Sequence, residues 1–588
     1  MNKKVKEKIL KGVAASPGIA IGTPFNYVHE TLNVSRDTVP DSEIESEILK
    51  YRNALDKTRE NILEDKKNAA KRGGQEAAKI FDAHLLIIDD QVLIDEAVYF
   101  ISSNNVQASY AVSKVMKDYQ MEFEKLQNQY FSQRAFDIED VCRRIIKNII
   151  SDSDKPDQST VLKGKQIVIS NNIFPSDTLN FNKDLILGIV TEFGGKTSHA
   201  AILSKSLEVP AVVGVTGISK YQNKISLLIV DGFSGKVIIN PNASTFESYK
   251  KRQHEEQKQV EEDLKYAALA SVTLDNVSVK IMSNIQSALE ADSVIKWNSD
   301  GVGLFRTEFL FESSLSVLSE DDQFRIYSEV SEKLYPRHIT IRLLDIGGDK
   351  LNDKMSIKED NPFLGVRGMR LLFDHPELLR SHLRAILRAS SKKNISIMLP
   401  FVSNISEITK TRAIFERVIK DLISEGYTVD EKMKIGIMVE VPSIVMIADA
   451  VAAKADFFSI GTNDLTQYVL AADRGNERVS GIYDSFHPAV IKMLDMTVRA
   501  AERRKIGVGI CGQMAGYPIA LPLLIGLGLR ELSVTPFLVP AVKKIIRRLD
   551  TKECAALSKK CLKASSPKAV LTILSDFFEK KIGDHPLQ

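Results

Sequence analysis

Phe457-Phe-Ser-Ile-Gly-Thr-Asn-Asp464 decides the architecture. Four residues suited to a strand stop at Gly461, and polar side chains follow at once. The pattern recurs along the second half of the chain, at Ser278–Asn284, Gly301–Arg306, Ile339–Ile346, Ile395–Pro400, Lys434–Glu440, Phe457–Gly461, Gly507–Cys511 and Glu531–Pro536. Each run is short, apolar and separated from the next by a helical stretch. Continuous apolar runs are the mark of parallel strands buried on both faces. Eight of them alternating with helices predict a (β/α)8 barrel.

In such a barrel the C-terminal strand ends converge on one mouth. Arg306 ends the second run, and Arg342 and Asp345 lie in the third. Glu440 ends the fifth, Asn463 and Asp464 follow the sixth, and Cys511 ends the seventh. Glu440 and Asp464 are a carboxylate pair of the kind that holds Mg²⁺ while leaving positions for water and phosphate. Arg306, Arg342 and Arg474 have the fork geometry that grips a phosphate. Taken singly, each has an ordinary reading: a salt-bridge carboxylate, a strand-end ion pair, a cysteine acting as a small buried hydrophobe. The case for chemistry rests on all of them falling on one rim.

N-terminal to the barrel, Ser244 to about Leu269 is a highly charged helix with few large apolar residues, and reads as a linker. Ser244-Thr-Phe-Glu247 has the capping-box form at its start. Residues 160–241 alternate short strands with glycine turns, as do Lys11–Tyr27. Between them, Asp41–Asp152 is rich in Glu, Lys, Ala and Leu and nearly free of Pro and Gly, a helical composition. The expected organisation is a split α/β domain (1–30 and 155–242), an inserted helical subdomain (31–154), a helical linker (243–270) and the barrel (271–588).

One segment of the split domain carries chemistry of its own. In Gly194-Gly-Lys-Thr-Ser-His199, the glycines allow a tight turn, and Thr197 or Ser198 can cap a helix that begins near His199. Free N–H groups and the positive end of the helix dipole favour a neutral imidazole there. They also welcome a phosphoryl group once it has been accepted. His84, on a helix face, and His487, before Pro488, lack such a setting and are left out of the catalytic set.

Composition narrows the classes. The chain has 588 residues, with 79 Lys+Arg against 76 Asp+Glu. That balance gives no global electrostatic footprint for nucleic acid. No apolar run reaches the roughly 20 residues needed to span a bilayer. The Met1–Gly22 stretch resembles a signal peptide only until Ser16-Pro17-Gly18 interrupts it, and is expected to be mature sequence. The four cysteines, Cys142, Cys511, Cys554 and Cys561, show no paired spacing, which suits a reducing, cytoplasmic setting.

Several segments together resemble enzyme I, the phosphoenolpyruvate–protein phosphotransferase family of the bacterial sugar phosphotransferase system. Gly194–His199 through Ser206–Gly214 is similar to its phosphohistidine segment. Gly303–Leu310, Leu344–Lys350, Asn361–Arg367, Leu383–Ser390, Gly436–Glu440, Phe458–Tyr468, Asp473–Asn476 and Cys511-Gly512 are similar to its barrel. The resemblance runs in order over nearly the whole chain. It implies that His199 accepts the phosphoryl group and that Arg306, Arg342, Asn463, Asp464 and Arg474 hold phosphoenolpyruvate. It further implies that Glu440 and Asp464 ligate Mg²⁺ and that Cys511 protonates the enolate carbon. The helical subdomain would dock the histidine phosphocarrier HPr, and the barrel would form a homodimer.

Two positions depart from the family pattern. Phe174-Pro175-Ser176 replaces Thr-Pro-Ser, removing a hydroxyl that could support His199. Cys511-Gly512-Gln513 replaces Cys-Gly-Glu, removing a carboxylate. Three rival readings remain in view. A pyruvate phosphate dikinase or phosphoenolpyruvate synthase calls for an ATP-binding domain, yet the chain has no glycine-rich nucleotide loop. A non-catalytic scaffold predicts a broken site. A free-standing Mg²⁺ barrel lyase leaves the first 270 residues unexplained.

Overall fold

The computed structural model describes residues 6–27, 34–125, 129–150, 162, 164–174, 177, 181, 183–195, 198–207, 209–312, 318–347, 359, 361–474, 476, 479 and 481–583. They form two compact units, which meet in sequence between Gln259 and Val260.

In the first unit, strands β1 (Lys8–Lys11), β2 (Val13–Ser16), β3 (Ile19–Gly22) and β4 (Pro24–Asn26) precede four helices. The helices are α1 (Ile44–Ile88), α2 (Gln91–Asn104), α3 (Ala108–Lys125) and α4 (Gln129–Ile150). The chain then continues through β5 (Gln166–Ser170), β6 (Ile186–Thr191), α5 (His199–Leu207), β7 (Ala211–Val213), β8 (Leu228–Asp231) and β9 (Lys236–Ile239). One sheet has the order β2-β7-β6-β5-β4, and a second, all-antiparallel sheet has the order β1-β9-β8-β3. Both sheets therefore pair strands from before and after the helices. The bundle packs on its own apolar core, with Ile62, Phe81, Ile101, Val141 and Ile146 almost fully buried. Phe81, His84 and Ile88 lie on one buried stripe of α1, as the helical period requires.

A carboxyl is buried beside this bundle. Asp177 accepts from the Tyr27 hydroxyl at 2.6 Å and from the Phe174 N–H at 2.7 Å. Burial, with the charge of Asp140 nearby, pushes its pKa up to about 7 against the pull of Tyr27, Phe174 and Arg144. A carboxyl with a raised folded-state pKa favours the fold most when protonated. Its contribution is complete below about pH 4 and is lost as the pH rises through about 7. Asp177→Asn should therefore stabilise the protein relative to wild type increasingly between pH 5 and pH 8, by on the order of a few kcal/mol at the upper end. Denaturant unfolding of both proteins across that range measures the difference, and a gap that stays flat or shrinks refutes it.

Helix α6 (Ala243–Ala267) carries the chain from one unit into the next. Its cap is Asn242, whose side-chain oxygen accepts from Thr245 N–H at 3.0 Å. The expected Ser244 capping box is therefore displaced by two residues: Ser244 already lies inside the helix. The N-terminal half is bound within the first unit. Arg252 pairs with Asp231 at 3.3 Å, and Gln253 donates to the Ile19 carbonyl at 2.7 Å. The C-terminal end is bound within the second. The buried Lys543 ammonium donates to the carbonyls of Ala267 at 3.0 Å and Asn298 at 2.7 Å, and Asn298 Nδ2 donates to Ala267 at 2.8 Å. A cation at a helix C-terminus also suits the dipole.

The second unit is a closed parallel barrel. Its strands are β10 (Lys280–Ile285), β11 (Gly301–Phe305), β12 (His338–Arg342), β13 (Ile395–Leu399), β14 (Ile435–Val439), β15 (Phe457–Ile460), β16 (Gly507–Ile510) and β17 (Glu531–Val534). Each pairs with the next, and β17 closes on β10 with Lys280 opposite Glu531. All eight expected runs form strands. The third is shorter than expected, ending at Arg342 rather than Ile346. Leu343 and Leu344 are buried and extend the apolar run, but the chain leaves the ladder there and carries Asp345 into a loop. Outer helices lay apolar stripes on the barrel. In Pro376–Arg388 these are Leu378, Leu379, Leu383 and Ile386. No helix among the described residues is long and apolar enough to cross a membrane. All four cysteines are buried and free of disulfides.

Candidate active site

The C-terminal mouth of the barrel gathers an unusual density of buried charge. Arg342, at the end of β12, is only 8% exposed. Its guanidinium meets Glu308 at 2.8 Å and Asp345 at 3.2 Å, and lies 3.3 Å from the Met438 sulfur. Burial alone would weaken its hold on the proton. The carboxylates of Glu308, Asp345 and Glu440 outweigh burial and raise its pKa. Arg306, just past β11, lies close enough to feel Arg342, Glu308, Cys511 and Arg474. Burial and the charge of Arg342 lower its pKa. Its Nε is buried without a hydrogen-bond partner, and so is that of Arg342. Unpartnered buried donors carry a free-energy cost, and an anion would relieve it.

At the same mouth, Asp345, Glu440 and Asp464 bring carboxylate oxygens within 4.8 Å of one another. Glu440, past the end of β14, is 1% exposed and accepts from the Phe401 N–H at 2.7 Å. Burial and the charges of Asp345 and Asp464 raise its pKa well above the usual carboxylate range. Asp464 sits in the first turn of helix Thr462–Leu470, and its Oδ1 is buried without a hydrogen-bond partner. Like charges at this spacing call for a cation. The donor set is all oxygen, the type hard divalent ions take. Glu440 and Asp464, with Asp345 as a third carboxylate, therefore fit a metal ion.

Asn463 and Cys511 complete the rim. The Asn463 side chain accepts from the Gln513 N–H at 3.0 Å, tying the end of β15 to the end of β16. Cys511 is 3% exposed among Leu304, Met398 and Met438. Burial raises its thiol pKa, while a Ser459 hydrogen bond and the charges of Arg342 and Arg306 pull the other way. Gly512 is required here, because an added Cβ would lie 1.8 Å from the Thr462 hydroxyl. Gln513, one of the two family departures, has an exposed side chain. Arg474 stands furthest out, with a side chain 45% exposed and 3.9 Å from Asp464. Arg306, Arg342, Glu440, Asn463, Asp464, Arg474 and Cys511 are thus brought to one mouth.

Sequence reasoning assigned no role to Arg367 or Glu308. Arg367 forks onto Asp345 at 3.1 and 2.8 Å and touches Asp464 at 3.3 Å. It also donates to the Tyr468 hydroxyl at 3.0 Å and lies 4.6 Å from the centre of the Phe401 ring. Burial opposes its charge, but Asp345 outweighs burial and raises its pKa. Its only sequence signal was membership of the Asn361–Arg367 motif.

His199 belongs to the other unit, as the first residue of α5. The Ser198 hydroxyl accepts from the Ala201 N–H at 3.4 Å, so Ser198 caps the helix. Thr197, the alternative cap, lies outside the described residues, as does the His199 side chain. Gly194 takes φ +112°, where an added Cβ would lie 2.8 Å from the Ser198 hydroxyl. Phe174, the other departure, is 3% exposed, and Pro175-Ser176 lie outside the described residues.

A barrel mouth lined with arginines and carboxylates suits an anionic substrate, and the comparisons with known proteins define the class as that of the phosphoenolpyruvate-utilising enzymes. Three family profiles of that class match: its N-terminal domain over residues 11–134, its mobile domain over 162–235 and its phosphoenolpyruvate-binding domain over 260–551. The chain is 37% identical over 571 residues to the phosphoenolpyruvate–protein phosphotransferase of Staphylococcus carnosus, covering 97% of this chain and 99% of that one. It is 36% identical over 572 residues to that of Bacillus subtilis, covering 97% and 100%. A solution structure of Enzyme I (nEIt) aligns at 40% identity with a TM-score of 0.34, over 42% of this chain and 99% of that one. The chain belongs to the phosphoenolpyruvate–protein phosphotransferases.

Proposed function

We propose that the protein transfers the phosphoryl group of phosphoenolpyruvate to its own His199, releasing pyruvate, and then to a histidine of an HPr-type carrier. This is the first step of a sugar phosphotransferase system, and we assign it to the cytoplasm. The single observation that carries the reading is the mouth itself: unpartnered buried donors on Arg306 and Arg342 share one rim with a carboxylate cluster.

The chain's own residues divide the work. Arg306 and Arg342 bind and orient the phosphoryl oxygens from fixed, buried positions, so little reorganisation accompanies the reaction. Arg474 closes on the anion from the exposed side, and Asn463 orients it from the end of β15. Glu440 and Asp464 would hold Mg²⁺. When bound, that ion neutralises charge on the transferring phosphoryl group. The His199 imidazole attacks phosphorus as the bond from phosphorus to the enolate oxygen breaks. The enolate carbon takes its proton from the Cys511 thiol, which burial keeps protonated at neutral pH. In the second transfer the nitrogen–phosphorus bond breaks and the carrier's histidine takes the group.

One histidine serving two sites requires motion between units, on a μs–ms or slower scale. We assign carrier docking to the helices between β4 and β5, and homodimer formation to the barrel. The test is incubation with phosphoenolpyruvate labelled in its phosphoryl group, Mg²⁺ and a purified HPr-type carrier. The expected result is acid-labile, alkali-stable label that appears first on this protein and then on the carrier. Labelling that requires ATP instead would transfer the assignment to a dikinase-type reaction.

A further inference from the structure

Arg367 already occupies part of the place a divalent ion's charge would take. Its fork closes on Asp345, and the same terminal nitrogen reaches Asp464 Oδ2 at 3.3 Å. Asp464 therefore has one oxygen engaged by Arg367 and one, Oδ1, that makes no hydrogen bond and only a distant 3.9 Å ion pair with Arg474. Glu440 likewise has one oxygen engaged, with Oε1 committed to the Phe401 N–H. Space is kept beside its other oxygen by Gly461, where even a Cβ would stand only 3.0 Å away.

We propose that Arg367 is the resident counter-cation of the carboxylate cluster, and that a divalent ion binds fully only when the guanidinium releases Asp464. This rests on the metal site proposed above. A guanidinium and a divalent ion within a few ångströms repel strongly unless one yields. Arg367 has somewhere to go without leaving the mouth. The Tyr468 hydroxyl at 3.0 Å and the Phe401 ring at 4.6 Å hold the guanidinium on its far side. An arriving anion gives the released guanidinium a new partner. Metal and anionic substrate then assist each other's binding, through a coupling that is reciprocal by necessity. In the substrate-free protein the same contact holds metal affinity down.

The test is Mn²⁺ binding to the full chain without phosphoenolpyruvate, followed by the loss of the free-ion electron paramagnetic resonance signal. Arg367→Gln should bind Mn²⁺ at least roughly tenfold more tightly than wild type. Arg367→Lys keeps the charge but cannot fork onto both carboxylates, and should tighten binding by a smaller factor. Unchanged or weaker binding in Arg367→Gln overturns the proposal, as does a Lys variant that equals or exceeds it. Should the Gln variant fail to fold by circular dichroism, Arg367→Lys decides alone, and unchanged or weaker Mn²⁺ binding overturns the proposal. Glu440→Gln and Asp464→Asn separate the two ideas. If neither weakens Mn²⁺ binding, the metal-site reading fails and the counter-cation proposal with it. If both weaken it and Arg367→Gln does not tighten it, the counter-cation proposal fails alone.

Discussion

His199→Ala should leave no acid-labile phosphoryl group on the protein and should cut transfer to the carrier by roughly 10⁶-fold, as loss of a nucleophile does elsewhere. The variant should stay folded. The helix is capped one residue earlier, by the Ser198 hydroxyl on the Ala201 N–H, and alanine is the best helix former. What disappears is the imidazole proposed as the phosphoryl acceptor. The first-turn N–H groups, which have no intrahelical acceptor, would still welcome an anion but could not bind it covalently. Quenching in alkali and in acid after incubation with labelled phosphoenolpyruvate provides the measurement. Wild-type labelling in the variant would mean that the acceptor is another residue.

Cys511→Ala should slow solvent-deuterium incorporation into the pyruvate methyl group by about 10²–10⁴-fold, the usual contribution of a positioned proton donor. The substitution removes only the sulfur from a pocket of Leu304, Met398 and Met438, so the barrel should tolerate it. It leaves Glu440 and Asp464 in place, so Mn²⁺ affinity should stay at the wild-type value. The direction of the thiol's pKa matters: a buried thiol that holds its proton is an acid for the enolate, whereas a thiolate would be a base from the start. Exchange within tenfold of wild type would assign the proton to another group.

The barrel was legible because its strands are parallel and buried on both faces, so each appears as an apolar run closed by polar residues. That grammar places Arg306, Arg342, Glu440, Asn463, Asp464 and Cys511 on one rim from the sequence alone. It misjudged the third strand because Leu343 and Leu344 are apolar for a different reason: they are buried in the loop that presents Asp345. It missed Arg367 because the residue follows no strand end, and its motif alone gives it no role. The residue lies 22 positions after Asp345, and only the folded chain brings the two side chains together. Glu308 was passed over similarly, since its partner Arg342 is 34 residues away. The start of α6 shows the limit of cap motifs. Ser244-Thr-Phe-Glu247 has the right letters, yet the Asn242 side chain two residues upstream makes the bond.

The two bonds from Lys543 change what counts as a separable piece of this chain. The last turns of α6 belong, by their bonding, to the barrel's own architecture, although they continue a helix that starts in the other unit. A barrel excised from after Ala267 would keep the lysine and lose one of its two carbonyl acceptors, leaving a buried ammonium half satisfied. The matching family profile also begins well inside the helix, at residue 260. Evolutionary shuffling or laboratory grafting of this barrel would have to carry the tail of the helix as part of the cargo, making the helix a shared possession of two modules rather than a spacer between them.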